Sequence, residues 1–159
     1  MIVIALGANL PSPLGPPAET LTQVLSLLAQ RSITIERQSG FYRTAAWPDP
    51  NDPPFINAVA SIRTALAPAD LLELLHDVER LCGRERGTPN APRTLDLDII
   101  DYEGRVESGP PVLPHPRMHT RLFVLCPLRE IAPGWCHPIS GLSVSQLIAA
   151  LPASEVLRI

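Results

Sequence analysis

The chain has 159 residues, 45% of them hydrophobic and 18% charged, with a formal net charge of -3 and a sequence pI near 5.8. This is the composition of an ordinary globule, read as one domain over 1–159 that buries about two-thirds of its unfolded surface, and its charge argues against a nucleic-acid binder, which would normally show a basic stripe. All 13 Lys+Arg positions are arginine, which excludes lysine-dependent phosphate loops and Schiff-base chemistry.

Taken from the start, Met1-Ile2-Val3-Ile4-Ala5-Leu6 reads as a buried first strand. It lacks the basic flank and the length of a signal peptide, and no apolar run is long enough to span a membrane. Cys82, Cys126 and Cys136 have no C-x-x-C spacing, so neither a disulfide framework nor a structural zinc site is indicated, and a reducing cytoplasm is the expected location. Gly7-Ala8-Asn9-Leu10-Pro11 is a turn, with a phosphate cradle as the alternative reading of its glycine. A helix follows from about Pro17 to Gln30, because Leu21, Val24, Leu25 and Leu28 recur at helical spacing and make one apolar face. Ile33 to Tyr42 and Phe55 to Thr64 read as the second and third strands. The proline-rich connection between them, from Ala45 to Pro54 with Trp47 in it, is too rigid and apolar for disorder and is a candidate pocket wall. Pro68 opens a second helix where its missing N–H costs nothing, and Gly83 closes it. Leu71, Leu75, Val78 and Cys82 form its core stripe, leaving Leu72, His76 and Glu79 off centre. An arginine-bearing loop with Arg84 and Arg86 then leads to Arg93.

From Leu95 to Ile99 apolar and acidic residues alternate with the period of a strand, so Asp96 and Asp98 share the face opposite Leu95, Leu97 and Ile99. Their Cα atoms lie roughly 6.6 Å apart at the usual rise per residue. One reading is an amphipathic strand with a solvated acidic face. The other is a site for Mg²⁺, a hard cation that takes oxygen ligands and shares its remaining positions with substrate phosphates. The neighbouring Arg93, Arg84 and Arg86 favour the second, because a metal-binding acidic pair flanked by arginines suits a polyphosphate. The element order to this point is β-α-β-β-α-β, a ferredoxin-like arrangement with a mainly antiparallel sheet. Beyond it, Pro114 and Pro116 work against a helix that would make His115 and His119 metal ligands, and donors to a bound anion are the favoured reading. Leu122 to Ile131 is an apolar stretch interrupted by Pro127, and a last helix runs from about Ser143 to Leu151.

Several strings together resemble the 6-hydroxymethyl-7,8-dihydropterin pyrophosphokinase family of folate biosynthesis. They are Leu6-Gly7-Ala8-Asn9-Leu10, Tyr42-Arg43-Thr44, Phe55-Ile56-Asn57-Ala58-Val59, Pro92-Arg93-Thr94-Leu95-Asp96-Leu97-Asp98-Ile99, and Pro114-His115-Pro116-Arg117-Met118 with Arg121, Phe123 and Val124. The resemblance implies an α+β fold whose ferredoxin-like core extends to a three-layer α/β/α sandwich. It also implies an enzyme that transfers pyrophosphate from Mg-ATP to the pterin hydroxymethyl and releases AMP, and a cytoplasmic monomer is expected. Asp96 and Asp98 would hold two Mg²⁺ ions, and Arg84 and Arg93 would act with them in catalysis. Leu72, His76, Glu79, Arg84, Arg93, Ile99, His115 and Arg121 would take ATP. Phe55 and Phe123 would sandwich the pterin, with Asn57, Thr44, Ala45 and Trp47 at its edge. The chain departs from the family pattern at Ala45-Ala46 and at Ala91, and its arginine loop has no tryptophan. That loop is expected to be mobile in the free protein and to bring Arg84 onto the phosphates on closing. The rival readings are a nucleotidyltransferase, which would release pyrophosphate, and a ferredoxin-like binding module without turnover.

Overall fold

In the computed structural model, which describes residues 1–159, strand β1 (Ile2–Ala8) lies at the centre of the sheet. It pairs antiparallel with β4 (Phe55–Arg63) on one side and with β5 (Asp96–Tyr102) on the other. Beyond β4 lie β2 (Thr34–Gln38) and β3 (Tyr42–Thr44), both antiparallel to it, and β3 in turn pairs with β8 (Val156–Arg158). A small hairpin of β6 (Glu107–Ser108) and β7 (Val112–Leu113) stands apart from this sheet.

Alternation along β1 gives each face of the sheet its own core. Ile2, Ile4, Leu6 and Ala8 pack with Leu95, Leu97 and Ile99 against α1 (Pro17–Ala29) and α2 (Pro68–Leu81). Those helices bury the stripes that their spacing predicts, Leu21, Val24, Leu25 and Leu28 in α1 and Leu71, Leu75 and Val78 in α2. A fully buried Leu or Ile contributes about 1.5–3 kcal/mol relative to an exposed one, so these stripes hold the helices to the sheet. On the other face Val3, Val59 and Ile100 pack against α3 (Leu122–Ile131) and α4 (Val144–Ala149). The result is a mixed helix and strand fold with a mainly antiparallel sheet.

Several elements differ from the sequence expectation. The single second strand expected over Ile33 to Tyr42 is two short strands. Gln38 faces Ala60 and Tyr42 faces Asn57, so the stretch from Gln38 to Tyr42 contains one more residue than the matching stretch of β4. The Ser39 hydroxyl absorbs the excess by accepting the Val59 N–H at 3.0 Å, while the Ser39 N–H donates to the Val59 carbonyl at 2.9 Å. The acidic strand runs on to Tyr102, past the alternation that ends at Ile99, with a bulge between the residues opposite Val3 and Ile4. Pro127 does not interrupt its stretch but lies buried within α3, where the packing of Val124, Leu125, Leu128 and Ile131 offsets the missing N–H. His115 precedes a short 3₁₀ turn over Met118–Thr120, so His115 and His119 do not share a helix face. Strand β8, which no local pattern predicts, closes one edge of the sheet.

Candidate active site

The site begins with what β1 leaves empty. On its outer face the side chains shrink from Val3 to Ala5 to Gly7, and the core under α3 buries Val3 but covers Ala5 only in part. Register sets Ala5 between Val59 and Asp98, and Gly7 between Asn57 and Asp96. Opposed residues of antiparallel strands share a face, so Asn57, Asp96 and Asp98 stand around a floor made of the two smallest side chains. A Cβ at Gly7 would lie 3.0 Å from Asn57 Oδ1, which makes glycine the residue that leaves this floor open.

Above the floor is a cavity of about 710 Å³. Phe55, Asn57, Thr44, Ala45 and Trp47 line one part of it, with Phe123 on α3, while Asp96, Asp98, Arg93 and Arg121 line another. Asn57 is buried and its amide N–H donates to Thr44 Oγ1 at 3.0 Å, which leaves Oδ1 directed to the Gly7 side. The guanidinium carbons of Arg93 and Arg121 sit 5.6 and 5.5 Å from the ring centres of Phe55 and Phe123. Each aromatic face therefore has a cation beside it.

The two carboxylates are held differently. Arg84 Nη1 donates to Asp96 Oδ1 at 2.6 Å and Arg93 Nη1 donates to Asp96 Oδ2 at 3.0 Å, so each oxygen has its own arginine. Asp98 has looser partners, with His115 Nε2 and Arg121 Nη1 both 3.7 Å from its Oδ2. Burial and the neighbouring Asp96 charge push the Asp98 carboxyl up to about 6. A carboxylate that resists ionisation next to a second one favours a bound cation. No group of three or more His, Cys, Asp and Glu side chains converges anywhere in the chain. A cation at Asp96 and Asp98 would thus complete its shell with water and phosphate oxygens, which fits Mg²⁺ and not a closed transition-metal site.

Arg84 is placed by the end of α2. Gly83 takes φ +76, a left-handed turn that returns the chain toward the helix, and the Arg84 N–H donates to the Glu79 carbonyl at 3.0 Å. Its side chain reaches the Leu95 carbonyl at 2.7 Å as well as Asp96, and Glu79 Oε1 lies 3.4 Å away. The expectation of a free Arg84 in a mobile loop is therefore corrected at this residue, because three acceptors already fix it. Glu79 is almost fully buried, accepts the Leu97 N–H at 2.8 Å, and is pushed up to about 7 by burial. The His115 ring is pushed down to about 4 by burial and then by Arg121 and Arg117. Its Nδ1 accepts the Arg117 N–H at 3.1 Å, so the neutral ring carries its proton on Nε2, the atom that faces Asp98.

Among the sequence candidates, the whole pterin set and Asp96, Asp98, Arg93 and Arg121 converge on the cavity. Leu72, His76, Glu79, Arg84 and His115 lie outside its lining, and Arg84 connects the Glu79 side to Asp96. Ile99 also lies outside the lining and turns its side chain into the core with α1 and α2. Asn9 was not among the candidates. Buried, it accepts the Arg93 N–H at 2.8 Å and donates to the Pro53 carbonyl at 2.9 Å, joining the arginine loop to the proline-rich one. Gly7 and Ala5 were missed as floor residues, although the falling side-chain size along the outer face of the first strand carries the signal.

With this geometry in hand, comparison with known proteins gives a consistent result. Residues 3–133 match the model of the 7,8-dihydro-6-hydroxymethylpterin-pyrophosphokinase family. A 2-amino-4-hydroxy-6-hydroxymethyldihydropteridine pyrophosphokinase of Synechocystis is 40% identical over 156 residues, covering 97% of this chain and 77% of that one. Proteins of the same name from Methylorubrum extorquens and Bacillus subtilis are 37% and 39% identical. The first alignment covers 98% of this chain and 96% of the relative, the second 80% and 75%.

Proposed function

The chain belongs to the 7,8-dihydro-6-hydroxymethylpterin-pyrophosphokinase family, and from that premise we propose how its residues divide the work. It is an ATP-dependent pyrophosphokinase of folate biosynthesis. In the proposed reaction the hydroxymethyl oxygen of 6-hydroxymethyl-7,8-dihydropterin bonds to the β-phosphorus of ATP and gives up its proton to solvent, the bond from that phosphorus to the oxygen it shares with the α-phosphorus breaks, and AMP leaves with that oxygen. The observation that carries this reading is one cavity bordered by a cationic, carboxylate-bearing wall, by two aromatic rings and by a buried amide.

Asp96 and Asp98 would hold two Mg²⁺ ions, which would supply charge neutralisation to the phosphates and Lewis acidity to the attacking hydroxyl. Arg84, Arg93 and Arg121 bind the triphosphate from the Asp96 and Asp98 sides. Neutral His115 donates through Nε2 to a phosphate oxygen without bringing a proton that would compete for the carboxylates. Leu72, His76, Glu79 and the Ile99 main chain border the nucleotide. Phe55 and Phe123 hold the flat pterin between their faces, and Asn57, Thr44 and the Ala45 to Trp47 main chain meet its polar edge. Catalysis on this reading is positioning plus charge neutralisation, since phosphoryl transfer asks little covalent work of the protein. The same reading counts β2 and β3 as one broken strand, giving a ferredoxin-like core with a third layer from α3 and α4. It takes 1–159 as one domain acting as a cytoplasmic monomer; no helix is long and apolar enough to cross a membrane.

Release of AMP from Mg-ATP, measured with and without the hydroxymethyl dihydropterin, tests the function. Pterin-dependent AMP is the expected product, and pyrophosphate release would point to attack at the α-phosphorus. Asp96→Ala and Asp98→Ala should each abolish turnover. Asp98→Ala should leave the fold intact, because it relieves repulsion between the carboxylates, whereas Asp96→Ala also takes the carboxylate partner from Arg84 and Arg93 and should cost some stability. Near-normal activity in either would remove the metal assignment.

A further inference from the structure

We propose that β8 is a working wall of the pterin part of the cavity and that Glu130, through Arg158, is the residue that positions it. The inference rests on the reading of that part of the cavity as a pterin site. β8 lies beyond residue 133, where the match to the family model ends. Its register sets Val156 opposite Thr44 and Arg158 opposite Tyr42. Opposed residues share a face, so Val156 extends the wall that Thr44 begins, and Leu151, Pro152, Ser154 and Glu155 continue it around the cavity.

Arg158 stands on that same face and donates through Nη2 to Glu130 Oε1 at 3.0 Å. The Glu130 carboxylate also accepts the Tyr42 hydroxyl at 2.7 Å and the Gly40 N–H at 3.0 Å. Glu130 belongs to α3, the helix whose first turn carries Phe123. One carboxylate therefore ties together the strand of Thr44, the helix of Phe123 and the strand of Val156. The backbone is shaped for this clamp, since a Cβ at Gly40 would come within 2.8 Å of Arg158 Nε. Burial, and then the bond to Glu130, push the Tyr42 hydroxyl up to about 12, so it remains a donor at any working pH. The Arg158 side chain is 63% exposed, and an ion pair so open to water adds little to stability. Its effect is on where the wall stands.

Three full-length variants, Arg158→Ala, Arg158→Lys and Val156→Ala, test this by their kcat and KM for each substrate together with thermal melts. Arg158→Ala and Val156→Ala should raise KM for the hydroxymethyl dihydropterin by about three- to tenfold, leave KM for Mg-ATP within about twofold, and keep the melting temperature close to that of the unaltered chain. Arg158→Lys should recover much of the loss. Unchanged pterin KM in both alanine variants overturns the proposal. An equal rise in both KM values also overturns it, because that marks general loosening. If the unaltered chain shows no pterin-dependent ATP turnover, the pterin reading itself falls; an active chain whose variants behave like it refutes only the role of β8.

Discussion

Arg84 Nη1 donates to Asp96 Oδ1 at 2.6 Å and in the same position donates to the Leu95 carbonyl at 2.7 Å, so the strand bearing the carboxylates is braced from the end of α2. The arginine is already part of the ground state and does not wait for a loop to close. Removing it takes one of two arginines from Asp96 and the nearer cation from the nearly buried Glu79, leaving Arg93 on Asp96 and Arg86 at 3.7 Å from Glu79.

Arg84→Ala is therefore expected to destabilise the protein by about 1–3 kcal/mol, because Glu79 and the Leu95 carbonyl each lose a partner. Nucleotide affinity and the chemical step should fall together, since the contact is present before and during transfer. Calorimetric nucleotide binding and single-turnover rates measure the two separately. A defect confined to the chemical step would bring back the closing-loop account.

The Glu79 carboxyl gives a pH dependence of defined sign. Its folded pKa, raised by burial to about 7 from an ordinary 4.5, means that the folded protein binds a proton more tightly than the unfolded chain. The stability it contributes is fully present below about pH 4.5 and is lost as pH rises through about 7. His115 works in the opposite sense: depressed to about 4 from 6.5, its contribution is present above pH 6.5 and lost as pH falls through about 4. Subtracting the Glu79→Gln curve isolates the first effect. Urea unfolding between about pH 5 and pH 8 should show the unaltered chain losing ground to Glu79→Gln as pH rises; a difference that stays flat would mean Glu79 does not titrate there.

Phe123 tests the aromatic pair. Phe123→Ala should weaken pterin binding by about 1–3 kcal/mol, by analogy with bases stacked on aromatic side chains, and leave nucleotide affinity nearly unchanged. Fluorescence titration with a hydroxymethylpterin measures the first and calorimetry with Mg-ATP the second. Equal losses would instead assign Phe123 to the core under α3.

Gly7→Val should close the cavity floor. A Cβ there would already lie 3.0 Å from Asn57 Oδ1, and the extra methyl groups project into the space above Asn57. Pterin affinity is expected to fall by more than about tenfold, because overpacking displaces a hydrogen-bonding edge. A full pterin affinity in folded Gly7→Val would place the heterocycle elsewhere.

Much of this protein was legible residue by residue. Alternation from Leu95 to Ile99 put Asp96 and Asp98 on one face, the apolar spacing of Leu21 to Leu28 and Leu71 to Val78 marked two helices, and an all-arginine complement set the chemistry available to phosphate. These are local periodicities and side-chain identities, which a chain carries wherever it folds. The joint effects were not legible, because they depend on register and on contacts between distant segments. A one-residue excess split the second strand at Ser39. Pairing of β1 with β4 and β5 turned Gly7 into a floor between Asn57 and Asp96. The return of the chain at Gly83 set Arg84 against Asp96, and the pairing of β3 with β8 brought Val156 beside Thr44. No stretch of sequence records which strand will lie beside another, so the shape of the site, as distinct from its chemistry, was decided only when the sheet closed.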